Sequence, residues 1–383
     1  MFCVGTHLSL SGDSERTTAM SNCRYLVTNG VISQTSNVPP VASFLEAHPG
    51  AYTTTRTHST ASCVLFWDRH LRRLVESARI LAETKPEYLF GTENAGISPY
   101  SASPSSWDSI VWPLVNRSLR NVLPVALEGR NEGEELAITA LVSGNVSSRE
   151  ENRKKERTIH ALDVYLHIGV YVPPVFGTKE SSAHLAVVGP GRDIANAKFS
   201  EWVRLRKCLE YMRPPSTNEL MLSNDGDHIL EGCLTNFFVV RRKENSDVPR
   251  KHPLDLDNEF SFEVQTASIS DGVLPGIVRQ VIVEVCLAMG ISLSEVAPSW
   301  SERELWEEAF ITKQAWMDTR YDYIIVNLII GGPGNIRLIE RIWLLMVSFH
   351  KHLMFLLLPH SLEAHPGNAI IRYHCFLYSA FCS

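Results

Sequence analysis

The 383-residue sequence contains no C-x-x-C pair, and none of its eight cysteines has a histidine beside it at metal-finger spacing. That excludes a zinc finger, and no metal site is expected. Cysteines scattered over a chain this long form no disulfide framework either, so a reducing compartment is the expectation. A sustained Lys/Arg block is also missing: 36 basic side chains face 42 acidic ones, a formal charge of −6. Nucleic-acid binding is therefore not expected as the main role. No basic segment followed by an apolar one opens the chain, so no secretory signal is read there. MFCVGTHLSLSGDSERTTAM is Ser/Thr-rich, as an organellar transit peptide would be, but Asp13 and Glu15 count against one. The cytoplasm is the expected compartment. Met20 stands as an alternative start, because the first strand-like run, 25–32, begins just after it. Long hydrophobic runs are scarce as well. IWLLMVSFHKHLMFLLL (342–358) has 17 residues with a central His-Lys-His, against the ~20 apolar residues a bilayer needs. A buried helix, or sequence foreign to the preceding domain, fits it better than a membrane span.

What is present is ordinary for a folded chain with a core: 44% apolar and 20% charged residues. Collagen, coiled coil and wholesale disorder are excluded by that composition. At roughly 100–200 residues per domain, the length accommodates two domains or one large one. Residues 1–23 read as a flexible N-terminus. Residues 24–142 read as a small α/β unit, with a strand (RYLV), an apolar turn region (NVPPV) and the helical stretch WDRHLRRLVESARILAET. In that helix Leu71, Leu74, Ala78 and Leu81 recur three or four residues apart and form one apolar stripe. The polar segment 143–161 lacks periodicity and aromatics up to residue 158, which predicts a solvated linker. Its basic residues are interrupted by Glu150, Glu151 and Glu156, so it makes a poor docking patch.

Residues 162–312 form the second, larger unit. Strand-like runs (DVYLHIGVYV, HLAVVG, NELMLSN, NFFVVRR) alternate with helical ones (SEWVRLRKCLEYM, GIVRQVIVEVCLAMG). Mixed at this spacing, they predict an α/β or mixed α+β architecture. The polar stretch 243–263 reads as an exposed insertion. Residues 313–383 read as a divergent, apolar tail, with only Asp322, Glu340 and Glu363 as acids from 321 onward. The hexapeptide LEAHPG occurs at 45–50 and again at 362–367, and has no physical explanation.

Three places could carry chemistry. Lys198 follows the Gly/Pro turn GPGRDIANA and precedes an amphipathic stretch. Glu231 lies between a hairpin-type turn at Asp225-Gly226 and the strand NFFVV. In LPGIVRQ a Pro-Gly turn heads an amphipathic helix, whose free N–H groups and dipole both favour an anion. Singly, each has a plain alternative: a surface lysine, a turn-capping glutamate, a helix start that binds nothing.

Together and in this order, they resemble the class IV (fold-type IV) pyridoxal-phosphate aminotransferases. That group includes branched-chain and D-amino-acid aminotransferases and aminodeoxychorismate lyase. The resemblance covers roughly residues 24–312. It rests on GAYTTTRTH, FWDRHLRRLVESA, the lysine of NAKFSEW, LSNDGDHILEGCLTNFFVV, and LPGIVRQ followed by EEAFIT. The wording around Glu231 is most similar to a eukaryotic, D-amino-acid-aminotransferase-like branch.

The resemblance implies a two-domain fold-type IV enzyme with pyridoxal 5'-phosphate in the cleft, usually a homodimer. It implies amino-group transfer between an amino acid and a 2-oxo acid. A lyase of the aminodeoxychorismate type is the alternative, and a catalytically impaired member is another. Lys198 would hold the cofactor as a Schiff base and then move the substrate proton. Glu231 would keep the pyridine nitrogen protonated. Arg73 of HLRRL would bind the phosphate together with the helix start at Gly276, Ile277 and Val278. Asn236 is implied to hydrogen-bond near the site, and Arg56 of TTTRTH to meet a substrate carboxylate. For Arg73 the alternative is a solvated basic face with Arg69 and Arg72, but Leu71 and Leu74 turn its face inward. Trp67 and Trp202 are expected in the core, and His70 as a packed histidine.

The sequence also departs from the family. Trp202 and Val203 stand four and five residues after the lysine, where a tyrosine is common. Val278 replaces the threonine of LPGIT. Lys313 and Gln314 follow F-I-T, where a small or hydroxylated pair usually closes the phosphate cup. Nothing later matches the family's last strands, and weaker cofactor binding is the expected consequence.

Overall fold

The computed structural model describes residues 24–33, 38–91, 104–144, 162–172, 184–215, 217–242, 262–313, 325–328 and 355–356. Of the expected linker 143–161, residues 143 and 144 end a strand and 145–161 lie outside the described residues, as do most of the insertion 243–263, nearly all of the apolar run 342–358 and the second LEAHPG. Among the described residues, no helix is long and apolar enough to cross a membrane.

Two sheets organise the fold. The first contains β1 (Arg24–Thr28), β2 (Val31–Ile32), β3 (Ala51–His58), β4 (Cys63–Val64), β5 (Glu135–Gly144), β6 (Leu162–Tyr171) and β15 (Phe355–Leu356). Their order across the sheet is β15-β4-β3-β5-β6-β1-β2. The structure places β6, assigned above to the second unit, between β5 and β1, with antiparallel partners on both sides. The first sheet therefore runs past residue 142, because the apolar alternation that marks a strand does not say which neighbour will pair with it.

Helix α2 (Trp67–Thr84) lays Leu71, Leu74, Ala78 and Leu81 on this sheet, all fully buried. Helix α4 (Pro104–Glu128) adds Val111, Val115, Val122 and Ala126 to the same core. The stripe read from the sequence is thus the packing face. Two shorter helices, α1 (Val41–Ala47) and α3 (Glu87–Phe90), fill the connections.

The second sheet contains β7 (Leu185–Val187), β8 (Glu219–Leu222), β9 (Glu231–Gly232), β10 (Asn236–Arg242), β11 (Phe262–Thr266), β12 (Ser292–Glu295), β13 (Trp306–Thr312) and β14 (Ile325–Leu328). The path runs β12-β11-β10-β9-β8-β7, while β13 pairs with β10 and β14 pairs with β13. The stretch read as one helix, SEWVRLRKCLEYM, forms two: α5 (Trp202–Leu205) and α6 (Lys207–Tyr211). The break falls at Arg206, whose buried side chain holds Glu210 at 2.9 Å. Helix α7 (Ile277–Ala288) packs Val281, Ile282 and Val285 against Phe238 and Phe310, whose rings stack 5.0 Å apart. The sheets meet where the segment carrying Lys198 crosses β3. Tyr52 donates its N–H to the Lys198 carbonyl at 2.9 Å, and the Lys198 N–H goes to Ser77 Oγ at 3.0 Å.

Candidate active site

A cleft at this junction is lined by Thr54, Arg73, Lys198, Asn236, Leu274, Gly276, Ile277, Val278, Thr312 and Lys313, among others. A second hollow shares Lys198, Asn236 and Leu274 and continues to Glu231, Arg192, Trp202 and Tyr52. Lys198, Arg73, Glu231, Asn236, Gly276, Ile277 and Val278, expected at one site, are thus brought together from separate stretches of chain.

Lys198 as a residue is partly exposed, but its amine is enclosed, 4.7 Å from the centroid of the Tyr52 ring. Desolvation, and then the charges of Arg73, Arg192 and Arg206, hold its pKa well below 10.5; Glu231 opposes them. A larger share of the amine is therefore neutral and nucleophilic near neutrality.

Glu231 is 2% exposed. Its Oε1 accepts from Arg192 Nε at 2.8 Å and Nη2 at 2.7 Å, and its Oε2 accepts from the Leu274 N–H at 3.0 Å. Burial raises its pKa, and Arg192 and the Leu274 N–H oppose that. Asn236 Nδ2 donates to the Leu274 carbonyl at 2.9 Å and reaches Glu231 Oε2 at 3.4 Å. Asn236 thus ties β10 to the turn before α7.

At the other end of the cleft, Arg73 donates Nη2 to Thr53 Oγ1 at 2.9 Å, while its buried Nε has no partner. Burial lowers its pKa to about 10, which leaves it cationic at neutral pH. Thr312 Oγ1 is likewise buried without a partner. Helix α7 begins at Gly276 with no side chain capping it. Two unpartnered polar atoms and an uncapped helix start on one cavity make a place for an anion.

The structure does not bring Arg56 into this cleft. Its guanidinium packs over the Tyr171 ring of β6 at 5.4 Å and donates Nη1 to the Thr57 carbonyl at 3.4 Å, so the expected meeting with a substrate carboxylate has no support here. Trp67 is buried in the core, as expected. Trp202 is buried too, but it also lines the cleft, donating Nε1 to the Cys233 carbonyl at 2.8 Å beneath the Arg192 guanidinium. His70 is fully buried, its Nδ1 2.7 Å from Thr53 Oγ1. The sequence reading missed Arg192 and Tyr52 as cleft residues, and named Lys313 only as a departure at the phosphate cup. A signal existed for Arg192: it is the basic residue in the Gly/Pro turn six positions before Lys198.

Comparison with known families matches residues 50–315 to the model for amino-transferase class IV. The chain belongs to the class IV aminotransferase family. No curated protein sequence matches it. Among solved structures, the chain is similar to a branched-chain aminotransferase from Thermoproteus uzoniensis with norvaline. That likeness has 17% identity and a TM-score of 0.52, over 86% of this chain and 94% of the other. A PLP-bound hypothetical aminotransferase from Mycobacterium tuberculosis gives 15% identity and a TM-score of 0.52, over 85% and 98%. A fold IV-transaminase from Curtobacterium pusillum gives 13% and 0.52, over 86% and 99%. At such identities these likenesses show the fold, a mixed α/β class IV architecture.

Proposed function

We propose that this family member transfers an amino group between an amino acid and a 2-oxo acid, using pyridoxal 5'-phosphate bound in the cleft. One observation carries the reading. A lysine amine with a lowered pKa lies where two hollows share their lining, one with a buried carboxylate and the other with an anion-binding end. The residues fit the cofactor: the unpartnered Arg73 Nε and Thr312 Oγ1, with the N–H groups opening α7, are suited to its phosphate. When bound, the cofactor supplies an aldehyde and an electron sink.

The protein's own residues then have distinct tasks. Lys198 Nζ would hold the cofactor through its aldehyde and, once freed by the substrate amine, would take the proton from the substrate α-carbon and deliver it to the cofactor carbon, with the reverse transfer when the 2-oxo acid is the acceptor. Glu231, fixed by Arg192 and the Leu274 N–H, would be the carboxylate that keeps the pyridine nitrogen protonated. Asn236 keeps the Leu274–Gly276 turn against the carboxylate. Arg73 orients the cofactor from its phosphate end.

The test is an absorption spectrum of the protein with pyridoxal phosphate, before and after borohydride, against a panel of L- and D-amino acids with and without a 2-oxo acid. A visible band that disappears with a donor and returns with an acceptor is expected, with reduction fixing the cofactor to a peptide containing Lys198. Labelling of a different lysine, with Lys198→Ala still reducible, overturns the assignment. Pyruvate release without an acceptor, from an aminodeoxychorismate-type substrate, gives the lyase reading instead.

A further inference from the structure

We propose that Lys313 is a second cation of the anion end of this cleft, gripping the cofactor phosphate together with Arg73 and the start of α7. The inference rests on the pyridoxal-phosphate reading above and assigns a residue that the family resemblance does not supply. The resemblance leads one to expect a small residue at this position, and its loss reads as damage to the phosphate cup. The structure places a charge there instead.

The strand register delivers it. Thr312 pairs with Asn236, so β13 ends beside the residue that fixes the Glu231 turn, and Lys313 comes next. On the other side of β13, Thr312 pairs with Ile325 of β14, which holds the strand end from both edges. Lys313 lines the same cavity as Arg73, Gly276, Ile277, Val278 and Thr312. The cavity also holds the two unpartnered polar atoms, Arg73 Nε and Thr312 Oγ1, on side chains at least nine-tenths buried.

Charge balance at that end favours a second cation. A phosphate monoester carries about −1.5 to −2 near neutrality. Arg73 offers a single positive charge, and a helix N-terminus the equivalent of roughly half of one. The sum reaches only the lower end of that range, and Lys313 covers the upper end. Lys313 also acts on Glu219, a buried carboxylate whose Oε1 accepts the Leu234 N–H at 3.2 Å. Burial pushes the Glu219 carboxyl up, and the Lys313 charge is the strongest influence opposing it.

The experiment titrates the parent, Lys313→Gln and Lys313→Arg with pyridoxal phosphate, with pyridoxal, which lacks the phosphate, and with inorganic phosphate by calorimetry on the cofactor-free protein. Lys313→Gln is expected to weaken pyridoxal phosphate by about ten- to a hundredfold and inorganic phosphate in parallel, leaving pyridoxal unchanged. Lys313→Arg is expected to bind like the parent. Equal pyridoxal-phosphate affinity in Lys313→Gln and the parent overturns the proposal, as does an equal loss of pyridoxal and its phosphate. If Lys313→Gln does not fold, Lys313→Arg carries the test: retained phosphate binding is expected, and its loss overturns the proposal. A parent that binds inorganic phosphate through Lys313 yet forms no reducible adduct with pyridoxal phosphate overturns the aminotransferase reading alone. A parent that binds neither overturns both.

Discussion

Arg192 donates Nε and Nη2 to the same oxygen of Glu231, at 2.8 and 2.7 Å, and thereby leaves the other oxygen to the turn that opens α7. The two side chains are 5% and 2% exposed. A carboxylate this deep would protonate if left alone. The guanidinium keeps it ionisable and fixes its orientation, while stacking 5.3 Å from the Trp202 ring. Arg192 also helps to hold down the pKa of Lys198, so one arginine acts on both groups of the proposed chemistry.

Replacing Arg192 with Ala should therefore cost about 3–5 kcal/mol of stability, the range for breaking a buried pair and stranding its partner. The folded pKa of Glu231 already lies above its ordinary 4.5, and it should rise further. Between 4.5 and the folded value the native state binds the extra proton, so stability falls as pH rises through that window. The window widens in Arg192→Ala. Denaturant titrations from acid to neutral pH should show a steeper decline than in the parent, and parallel curves would count against the pairing.

Glu231→Gln and Arg73→Ala should fail in different ways. The amide keeps the shape of Glu231 and much of the cofactor binding, but it cannot hold the proton on the pyridine nitrogen, so the proton-transfer half-reaction slows. Arg73→Ala removes a charge-assisted contact worth roughly 1.5–3 kcal/mol and should weaken the cofactor by about ten- to a hundredfold. Spectral titration separates the two. If both variants bind and turn over like the parent, the roles are misassigned.

Which residues line these hollows was in good part legible before any coordinates. Lys198, Glu231, Asn236 and the helix start at Gly276 lie on short motifs whose local geometry is set by turns and by strand or helix ends. Arg73 was legible because the apolar stripe of its helix fixes which way it faces. For Arg56 the outcome depends on distant residues. Its strand was recognised, but whether it would meet the cleft or Tyr171 of β6 depends on pairing far along the chain. The same long-range pairing moved β6 into the first sheet. Lys313 stood out in the sequence only as a departure from the family, because the cleft residues it joins, Arg73 among them, arrive from distant elements.

Gly276→Ala tests how tightly the phosphate end is packed. The glycine has an ordinary extended backbone, φ −62° and ψ 141°, so conformational strain is not the issue. A β-carbon there would run into Asn236 Oδ1. Asn236 must then move, releasing the Leu274 carbonyl and loosening the contact with Glu231 Oε2. Overpacking of this kind costs roughly 1–3 kcal/mol. Reduced thermal stability together with weaker cofactor binding is expected. Unchanged cofactor affinity would show that Asn236 has room to give way.

The lowered pKa of Lys198 gives a pH dependence with a definite sign. In the unfolded chain its amine titrates at the ordinary 10.5, while in the folded chain it loses its proton well below that. Between the two values the unfolded state binds more protons, so stability rises with pH. Below the folded value both states are charged, and the cost of enclosing an ammonium beside Arg73 and Arg192 is present in full. Tyr52, Cys233 and Cys286 have raised pKa values and act in the opposite direction only at higher pH, the thiols near 12 when folded and 9.0 when unfolded. The window from about pH 7 to 9 is therefore the one to measure. In the cofactor-free protein, the urea midpoint should climb across it. Lys198→Met removes the titrating group and should flatten the climb, while being more stable than the parent at the lower end. Identical slopes in the two proteins would mean that the amine is solvated and ordinary, and the case for Lys198 as the nucleophile would lose its physical basis.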